Sequence, residues 1–456
     1  MTADTTICAI STPAGTGGIA VIRVSGQEAI PIVDRIFTKP NHRPLAQQPA
    51  GTMHYGNIFD GHQLLDQVVV SIFRAPHSFT GQDIVEISCH GSQYIQQELL
   101  RLLIANGCTM ALPGEFTQRA FLNGKMDLSQ AEAVADIIAS QNQWSHRIAV
   151  NQMRGGISTQ LQQLRQQLLH FTSLLELELD FADHEELEFA DRTELQQLIT
   201  DIQQKIQQLI SSFSQGNAIK NGVSIAIIGP TNAGKSTLLN LLVGEERAIV
   251  SDIHGTTRDI IEDTVNNNGI LYRFIDTAGI RRTTDKIEHL GIQRSYQAAQ
   301  KAQIILIVID GTQPIELDEL LQHTANKQYI IIVNKSDKIT TRQKQIITNQ
   351  LTNLPFLLIS AKQGEGKTQL LDKISQLINI RPIGDTPIIS NMRHYEALVK
   401  AQSALDKVRE GLNRQLSGEL ISLDLHDCLD ALAEITGEIS TQDVLSSIFS
   451  KFCIGK

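Results

Sequence analysis

Residues 229–237 read GPTNAGKST, and the fold turns on them. The stretch fits G-x-x-x-x-G-K-[ST] at Gly229, Gly234, Lys235 and Ser236, directly after the apolar run VSIAIIG and before the helix-like STLLNLLV. Phosphate chemistry asks for these residue types. Glycines let successive backbone N–H groups wrap a β-phosphate, a lysine neutralises β- and γ-oxygens, and a serine hydroxyl ligates Mg²⁺. The expected phosphate cradle is therefore Asn232, Ala233, Gly234, Lys235, Ser236 and Thr237. On its own the pattern matches by chance in many chains, but here a strand-to-helix context frames it.

Three further elements follow in order. GTTRD offers Thr257 as a second hydroxyl for Mg²⁺, on a loop able to sense the γ-phosphate. FIDTAG ends a strand with Asp276, placed to hold the magnesium shell, and continues through Thr277 and Ala278 to Gly279, whose N–H can meet the γ-phosphate. IIVNKSD puts Asn334, Lys335 and Asp337 at the end of another strand. A carboxylate there accepts from both N1–H and N2–H of guanine, which adenine cannot offer, so the sequence selects GTP over ATP. ISAK, with Ser360, Ala361 and Lys362, completes the base pocket. Chance matches in a generic α/β domain do not explain five elements in order, and the chain reads as a GTPase.

Its hydrolytic apparatus is less ordinary. Where Ras-like proteins carry a water-orienting glutamine after D-x-x-G, this chain has Ile280. Arg281, Arg282, Asp285 and Glu288 follow, and by spacing alone each reads equally well as a surface charge.

The 456 residues exceed one core and imply about three domains. Strand-like runs alternate with one helical stretch up to about residue 118, predicting an N-terminal α/β domain over 1–118. Leucines and isoleucines at helical spacing then predict a helical bundle over 119–215, opened by a capping box at Ser129 and Glu132. Strands separated by helix-length segments predict a mostly parallel α/β domain over 216–378. Helical texture returns over 379–456, so the sheet domain reads as inserted into the helical one. The acidic DHEELEFAD (183–191) reads as a solvated inter-helix loop rather than a metal site.

A net charge of −10 confines any RNA contact to a local patch or a partner. Five scattered cysteines without a C-x-x-C pair argue against disulfides or zinc. No apolar run approaches membrane-spanning length, and no Lys or Arg precedes Arg23, so a cytoplasmic protein without a leader is expected. The closing FSKFCIGK does not suit prenylation at Cys453, because Gly455 and Lys456 depart from that pattern. Ser440 and Asp443 predict a helix start, and Val444, Leu445, Ile448, Phe449 and Phe452 share one face, so the tail is expected to dock.

Taken together, GPTNAGKST, IVSDIHGTTRD, DTAGIRRTTDKIEHLGI, NKSD, TPAGTGGIAVIRVSG, APHSFTGQDIVE, PGEFTQRAFLNGKMDLSQAEA, EITGEI and IFSKFCIGK resemble the tRNA-modification GTPases of the MnmE (TrmE) family, along essentially the whole chain. The resemblance implies a folate-binding α/β domain that dimerises, a helical domain and an inserted Ras-like GTPase. It implies a homodimer that works with the flavoprotein MnmG (GidA), in a heterotetramer-type complex, to build an aminomethyl-type group on the wobble uridine of tRNA. A K⁺ ion is implied in place of an arginine finger, ligated by Asn232, Ser251, the Ile253 carbonyl and Thr256, with Glu288 orienting water. Thr231 and Ser251 depart from the family's usual proline and threonine. For 5-formyl-tetrahydrofolate or a methylene-tetrahydrofolate the resemblance points to Arg23, Glu86, Lys125 and Lys456, with Cys453 in the same centre. Read alone, without the resemblance, Arg23 and Glu86 read as structural ion-pair residues and Cys453 as a passive buried thiol.

Two other classes compete. One is a GTP-gated binding switch in ribosome assembly, which often appends a KH module, and the helical C-terminus has no such G-x-x-G loop. The other is a folate enzyme that merely carries a GTPase, although the first domain offers no evident nucleophile.

Overall fold

In GGIAVIRVS (Gly17–Ser25), Ala20, Ile22 and Val24 fall on one side of the pleat and are buried, while Arg23 falls on the other. That period-2 pattern builds a half-covered sheet. The computed structural model describes residues 5–39, 43–180, 191–244, 263–267, 269–275, 296–322, 324, 327–377 and 387–455. They form two compact units by contact. One comprises Met1–Ala139, Ala149–Gln203 and Ala397–Lys456, and the other Ser140–Ile148 and Gln204–Glu396.

The first unit holds a seven-stranded sheet of β1 (Ile7–Ile10), β2 (Gly17–Ser25), β3 (Phe37–Thr38), β4 (Thr52–Asp60), β5 (Gln63–Phe73), β6 (Ile84–Gly91) and β7 (Thr109–Met110), in the order β3-β4-β5-β6-β2-β1-β7. Pairing is antiparallel except between β1 and β7. Helices Ala29–Ile36 and Gln93–Ala105 cover one face, sealing Ile22, Val24, Val70, Ile87 and Leu99 in a core. On the opposite face, register sets Arg23 of β2 directly across from Glu86 of β6.

The helical part of this unit follows the apolar stripe. Leu161, Leu164, Leu168 and Leu175 are buried along the helix Gly156–Asp180, which packs on the helix Gly418–Thr436. Two helix starts differ from the sequence expectation. The helix Leu128–Ala139 is capped by Asp127, whose Oδ1 accepts from the Gln130 N–H at 2.8 Å while Gln130 Oε1 accepts from the Asp127 N–H at 2.9 Å. Asp-x-x-Gln satisfies the same pattern as Ser129-x-x-Glu132 two residues sooner, and Ser129 lies inside the helix, its Oγ buried without a partner. The helix Gln442–Phe449 is capped by Thr441, which accepts from the Val444 N–H, and not by Ser440. Val444 is 40% exposed. At 100° per residue it lies about 90° from the centre of the stripe formed by Leu445, Ile448 and Phe449.

The second unit holds β8 (Val223–Ile228), β9 (Asp263–Asn267), β10 (Ile270–Phe274), β11 (Ile304–Asp310), β12 (Gln328–Asn334) and β13 (Phe356–Leu358), in the order β13-β12-β11-β8-β10-β9. All pairs are parallel except the β9–β10 hairpin, a strand the apolar runs did not reveal. IILIVI of β11 is buried throughout, as a central strand covered on both faces must be, and a separate hydrophobic core lies on each face. Such a sheet collects its ligand loops beyond the carboxyl ends of the strands. Among the described residues no helix is long and apolar enough to cross a membrane. The acidic stretch 183–191 lies outside the described residues except for Asp191.

The two cap assignments are separable. Asp127→Ala is expected to cost about 1 kcal/mol at the first turn of Leu128–Ala139, a roughly fivefold faster hydrogen exchange of the Gln130 amide. Ser129→Ala should leave that exchange unchanged, because the hydroxyl it deletes has no partner to lose.

Candidate functional site

β8 ends at Ile228, and the chain turns through Gly229 to Gly234 before the helix Lys235–Val243 begins. Asn232 and Gly234 both take positive φ, 58° and 96°, which curls the loop so that its N–H groups converge ahead of the helix. A Cβ at Gly234 would run into Asn334 Nδ2. Lys235 folds back over this loop, its Nζ donating to Gly229 O at 2.8 Å and Pro230 O at 2.7 Å. A cation and a ring of amide donors therefore share one small space at a helix N-terminus, the arrangement that suits polyphosphate.

Asn334 ends β12 and is buried. Its Nδ2 donates to Ala233 O at 2.9 Å, and its Oδ1 accepts from the Ala361 N–H at 3.0 Å. One amide thus ties the phosphate loop to the loop after β13. Lys335 follows in the left-handed region with φ 63°, its Nζ donating to Asp310 Oδ2 at 2.6 Å. Burial pushes the Asp310 carboxyl up, but hydrogen bonds from Lys335 and from the Thr312 N–H and hydroxyl pull it down further, and the net shift is downward. Asp337 is exposed, and its Oδ1 accepts from Ser360 Oγ at 2.7 Å. That hydrogen bond, aided by the charges of Lys338 and Lys362, lowers its pKa below the ordinary 3.8. A carboxylate with a depressed pKa loses its charge only as pH falls through the lowered value, so this acceptor stays ionised across the neutral and mildly acid range.

In the first unit, Arg23 Nε and Nη2 both donate to Glu86 Oε1, at 2.9 and 2.8 Å. The guanidinium lies 5.4 Å from the Phe79 ring centroid and 5.7 Å from that of Phe116. The C-terminal tail reaches the same place. Gly455 O accepts from Ser11 Oγ at 3.1 Å and from Arg23 Nη1 at 3.5 Å, and Cys453 O accepts from the Gly114 N–H at 3.3 Å. Phe449 and Phe452 are buried with Leu128 and Ala131, whereas the Cys453 thiol is exposed. Lys125 Nζ donates to Pro76 O at 2.9 Å.

Of the residues singled out in sequence, the structure brings together Asn232, Ala233, Gly234, Lys235, Ser236 and Thr237 with Asn334, and Asp337 with Ser360. Separately it brings Arg23, Glu86 and the Cys453 segment together. Ser251, Ile253, Thr256, Thr257, Asp276, Thr277, Ala278, Gly279, Ile280, Arg281, Arg282, Asp285, Glu288 and Lys456 lie outside the described residues. Sequence reasoning missed Asp310 and Thr312, although D-G-T closing a strand is a recognisable Asx-turn signal. It also missed Ser11, Phe79, Phe116 and Gly114, which carry no local signal because only the fold brings them beside the tail.

A parallel sheet with a lysine-bearing phosphate loop at one strand end, and an N-K-x-D loop tied to it by a buried amide, defines a P-loop GTPase, here joined to a helical and an N-terminal α/β part. The family model described as the MnmE helical domain matches residues 128–453, and that of the GTP-binding protein TrmE N-terminus matches residues 6–125. The tRNA modification GTPase MnmE of Parabacteroides distasonis is 54% identical over 459 residues, covering 99% of this chain and 100% of that protein. The protein of the same name from Christiangramia forsetii is 47% identical over 475 residues, covering all of both. The chain belongs to the MnmE family. Among solved structures, a variant of Aquifex aeolicus Era bound to GDP.AlF4- is 29% identical over 40% of this chain and 66% of that one, with a TM-score of 0.26. The G domain of the T. maritima FeoB iron transporter is 25% identical over 34% of this chain and 97% of that one, with a TM-score of 0.25.

Base selection by Asp337 has a direct test. Asp337→Asn is expected to weaken GTP binding on the order of a hundredfold and to favour xanthosine triphosphate, whose C2 oxygen accepts where guanine donates. Competition binding between the two nucleotides reads the switch, and unchanged preference would remove Asp337 from the base pocket.

Proposed function

We propose that the chain is a potassium-activated GTPase. With a flavoprotein of the MnmG (GidA) type and a tetrahydrofolate one-carbon donor, it forms the 5-carboxymethylaminomethyl or aminomethyl group on the wobble uridine of tRNA. The carrying observation is the Asn334 amide, which holds the phosphate loop and the base loop in one site and leaves Asp337 charged beside it. Membership of the MnmE family supplies the tRNA substrate, since the relatives are named tRNA modification GTPases.

In this reading Lys235 neutralises charge on the β- and γ-phosphates, the N–H groups from Asn232 to Thr237 hold the polyphosphate, and Asp337 with Ser360, Ala361 and Lys362 holds guanine. Ser236 stands in the first turn of its helix beside Lys235, a hard oxygen donor where Mg²⁺ would sit, with Thr257 as the second hydroxyl. The curled backbone at Asn232 fits a K⁺ held by its side chain, with Ser251, the Ile253 carbonyl and Thr256 as the remaining donors. Bound there, K⁺ would supply the positive charge that an arginine finger supplies elsewhere. Glu288 orients water, and Asp276 and Gly279 complete the γ-phosphate end.

Arg23, Glu86, Lys125 and Lys456 are assigned to 5-formyl-tetrahydrofolate or a methylene-tetrahydrofolate. The fit rests on two rings flanking an arginine paired with a carboxylate, a surface suited to a flat heterocycle with an acidic tail. Cys453 is exposed two residues before the Gly455 carbonyl that meets Arg23, on a tail held at both sides, and is assigned to the modification chemistry. We further propose domain limits of 1–118, 119–215, 216–378 and 379–456, a homodimer and a cytoplasmic location.

Four measurements test this reading. Mass spectrometry of tRNA nucleosides from a deletion strain should show loss of the modified wobble uridine. Hydrolysis should rise at least tenfold in K⁺ over Na⁺, and Asn232→Ala should flatten that response. Equal rates in both salts would end the potassium assignment. Glu288→Ala should lower kcat while leaving GTP affinity within about twofold. Cys453→Ser should preserve folding and GTP hydrolysis but strip the wobble modification, and normal modification would make the thiol a bystander.

A further inference from the structure

The chain has one tryptophan, Trp144, and the structure seats it on the hairpin between β9 and β10. A Cβ at Gly269, in the turn of that hairpin, would run into Trp144 Cδ1 and lie 2.5 Å from Nε1, so only a glycine lets the indole rest on the backbone there. The indole is held from below. Helix Gln143–Met153 starts at a reciprocal cap in which Asn142 Oδ1 accepts from the Ser145 N–H at 2.8 Å and Ser145 Oγ accepts from the Asn142 N–H at 3.3 Å. Asn142 Nδ2 also donates to Ile219 O at 3.4 Å, and Trp144 packs with Ile148, Ile219 and Ile388. Asn142, Trp144, Ser145, Ile148, Ile219, Gly269 and Ile388 all belong to the second unit.

The hairpin has a particular place in the chain. β9 begins at Asp263, downstream of the GTTRD that ends at Asp259. β10 ends at Phe274, and Asp276 of the D-x-x-G follows after Ile275. The same β10 pairs with β8, whose far end becomes the phosphate loop, and a Cβ at Gly222, just before β8, would lie 2.9 Å from Leu271 O. β10 is therefore pinned along one side by β8, and Gly269 at the turn before it by Trp144.

We propose that Trp144 is a positioning residue for GTP hydrolysis: by seating the Gly269 turn it fixes the β9–β10 hairpin against β8, the strand that leads into the phosphate loop. The inference rests on the GTPase reading and goes beyond it, since Trp144 belongs to no nucleotide motif. Small misplacements of groups around a reacting centre cost rate more than affinity.

The full-length protein tests it with four readouts: GDP affinity, thermal stability, single-turnover hydrolysis of GTP in K⁺, and emission of the sole tryptophan with no nucleotide, with GDP, and with GDP plus aluminium fluoride. Trp144→Ala is expected to lower hydrolysis on the order of tenfold while GDP affinity stays within about twofold, and Trp144→Phe to restore most of the rate by keeping a flat ring on Gly269. Tryptophan emission of the unaltered protein is expected to shift between the GDP and aluminium fluoride states. Unchanged hydrolysis in Trp144→Ala, or emission identical in all three states, would overturn the proposal. Parallel loss of GDP affinity and thermal stability would overturn it too, assigning Trp144 to the core alone. Absence of GTP hydrolysis by the unaltered protein would sink the GTPase reading itself, a failure visible before any variant is compared.

Discussion

The nucleotide site depends on a single primary amide. Asn334 donates to the phosphate loop at Ala233 and accepts from the base loop at Ala361, buried from water at both ends. A side-chain amide carries on one rigid group both the donor and the acceptor this position needs. An aspartate would set a negative oxygen against the Ala233 carbonyl, and an apolar residue would strand two buried backbone groups at about 1–3 kcal/mol each. Everything around it follows from that tie. Gly234 has no Cβ because the amide nitrogen occupies the space, and Lys335 takes a left-handed backbone that turns the chain away from β12. That conformation costs roughly 1–2 kcal/mol for an L-residue, and the Lys335–Asp310 pair beneath it helps to offset the cost.

The sheet makes the tie possible. β8, β11, β12 and β13 run parallel, so the segments leaving them all emerge on one edge. Loops distant in sequence, at Ala233, Asn334 and Ala361, then meet without a long excursion by any of them. Inward-facing apolar residues on both faces keep the strands at fixed spacing. The site can therefore be built from short loops whose flexibility is limited by where they are anchored.

How much was legible beforehand follows the range of each interaction. GPTNAGKST, NKSD and ISAK were readable because phosphate and guanine chemistry dictate residue types within a few neighbouring positions. The buried strands were readable from continuous apolar runs. β9 was not, because DTVNN carries a single buried residue, Val265, and is held by its hairpin partner. β4 was missed for a similar reason, since its burial is interrupted and Gly56 lies against Phe37. The caps failed differently. Asp127-x-x-Gln130 and Ser129-x-x-Glu132 are equally good patterns, and the choice between them is made by backbone geometry that no local pattern encodes. An ion pair was the reading that Arg23 and Glu86 gave on their own, and the structure forms it because the register of β2 and β6 sets the two residues across from each other.

That pair also explains the form of the tail. A cross-strand ion pair contributes only about 0.2–1 kcal/mol, too little to decide a seven-stranded sheet, so the sheet does not need Arg23 for its stability. Its guanidinium nevertheless takes on a third partner, the Gly455 carbonyl, while Ser11 contributes a second bond to the same oxygen. Upstream, Phe449 and Phe452 are buried and the Gly114 N–H holds the Cys453 carbonyl. The thiol between these anchors is exposed although its backbone is fixed. If the tail served only to bury apolar surface, the cysteine would gain by turning inward with the phenylalanines, as the other four cysteines do. Anchors on both sides instead fix the backbone under an exposed sulfur, with the Gly455 carbonyl two residues on at the Arg23 guanidinium, a geometry that costs ordering entropy without burying the thiol.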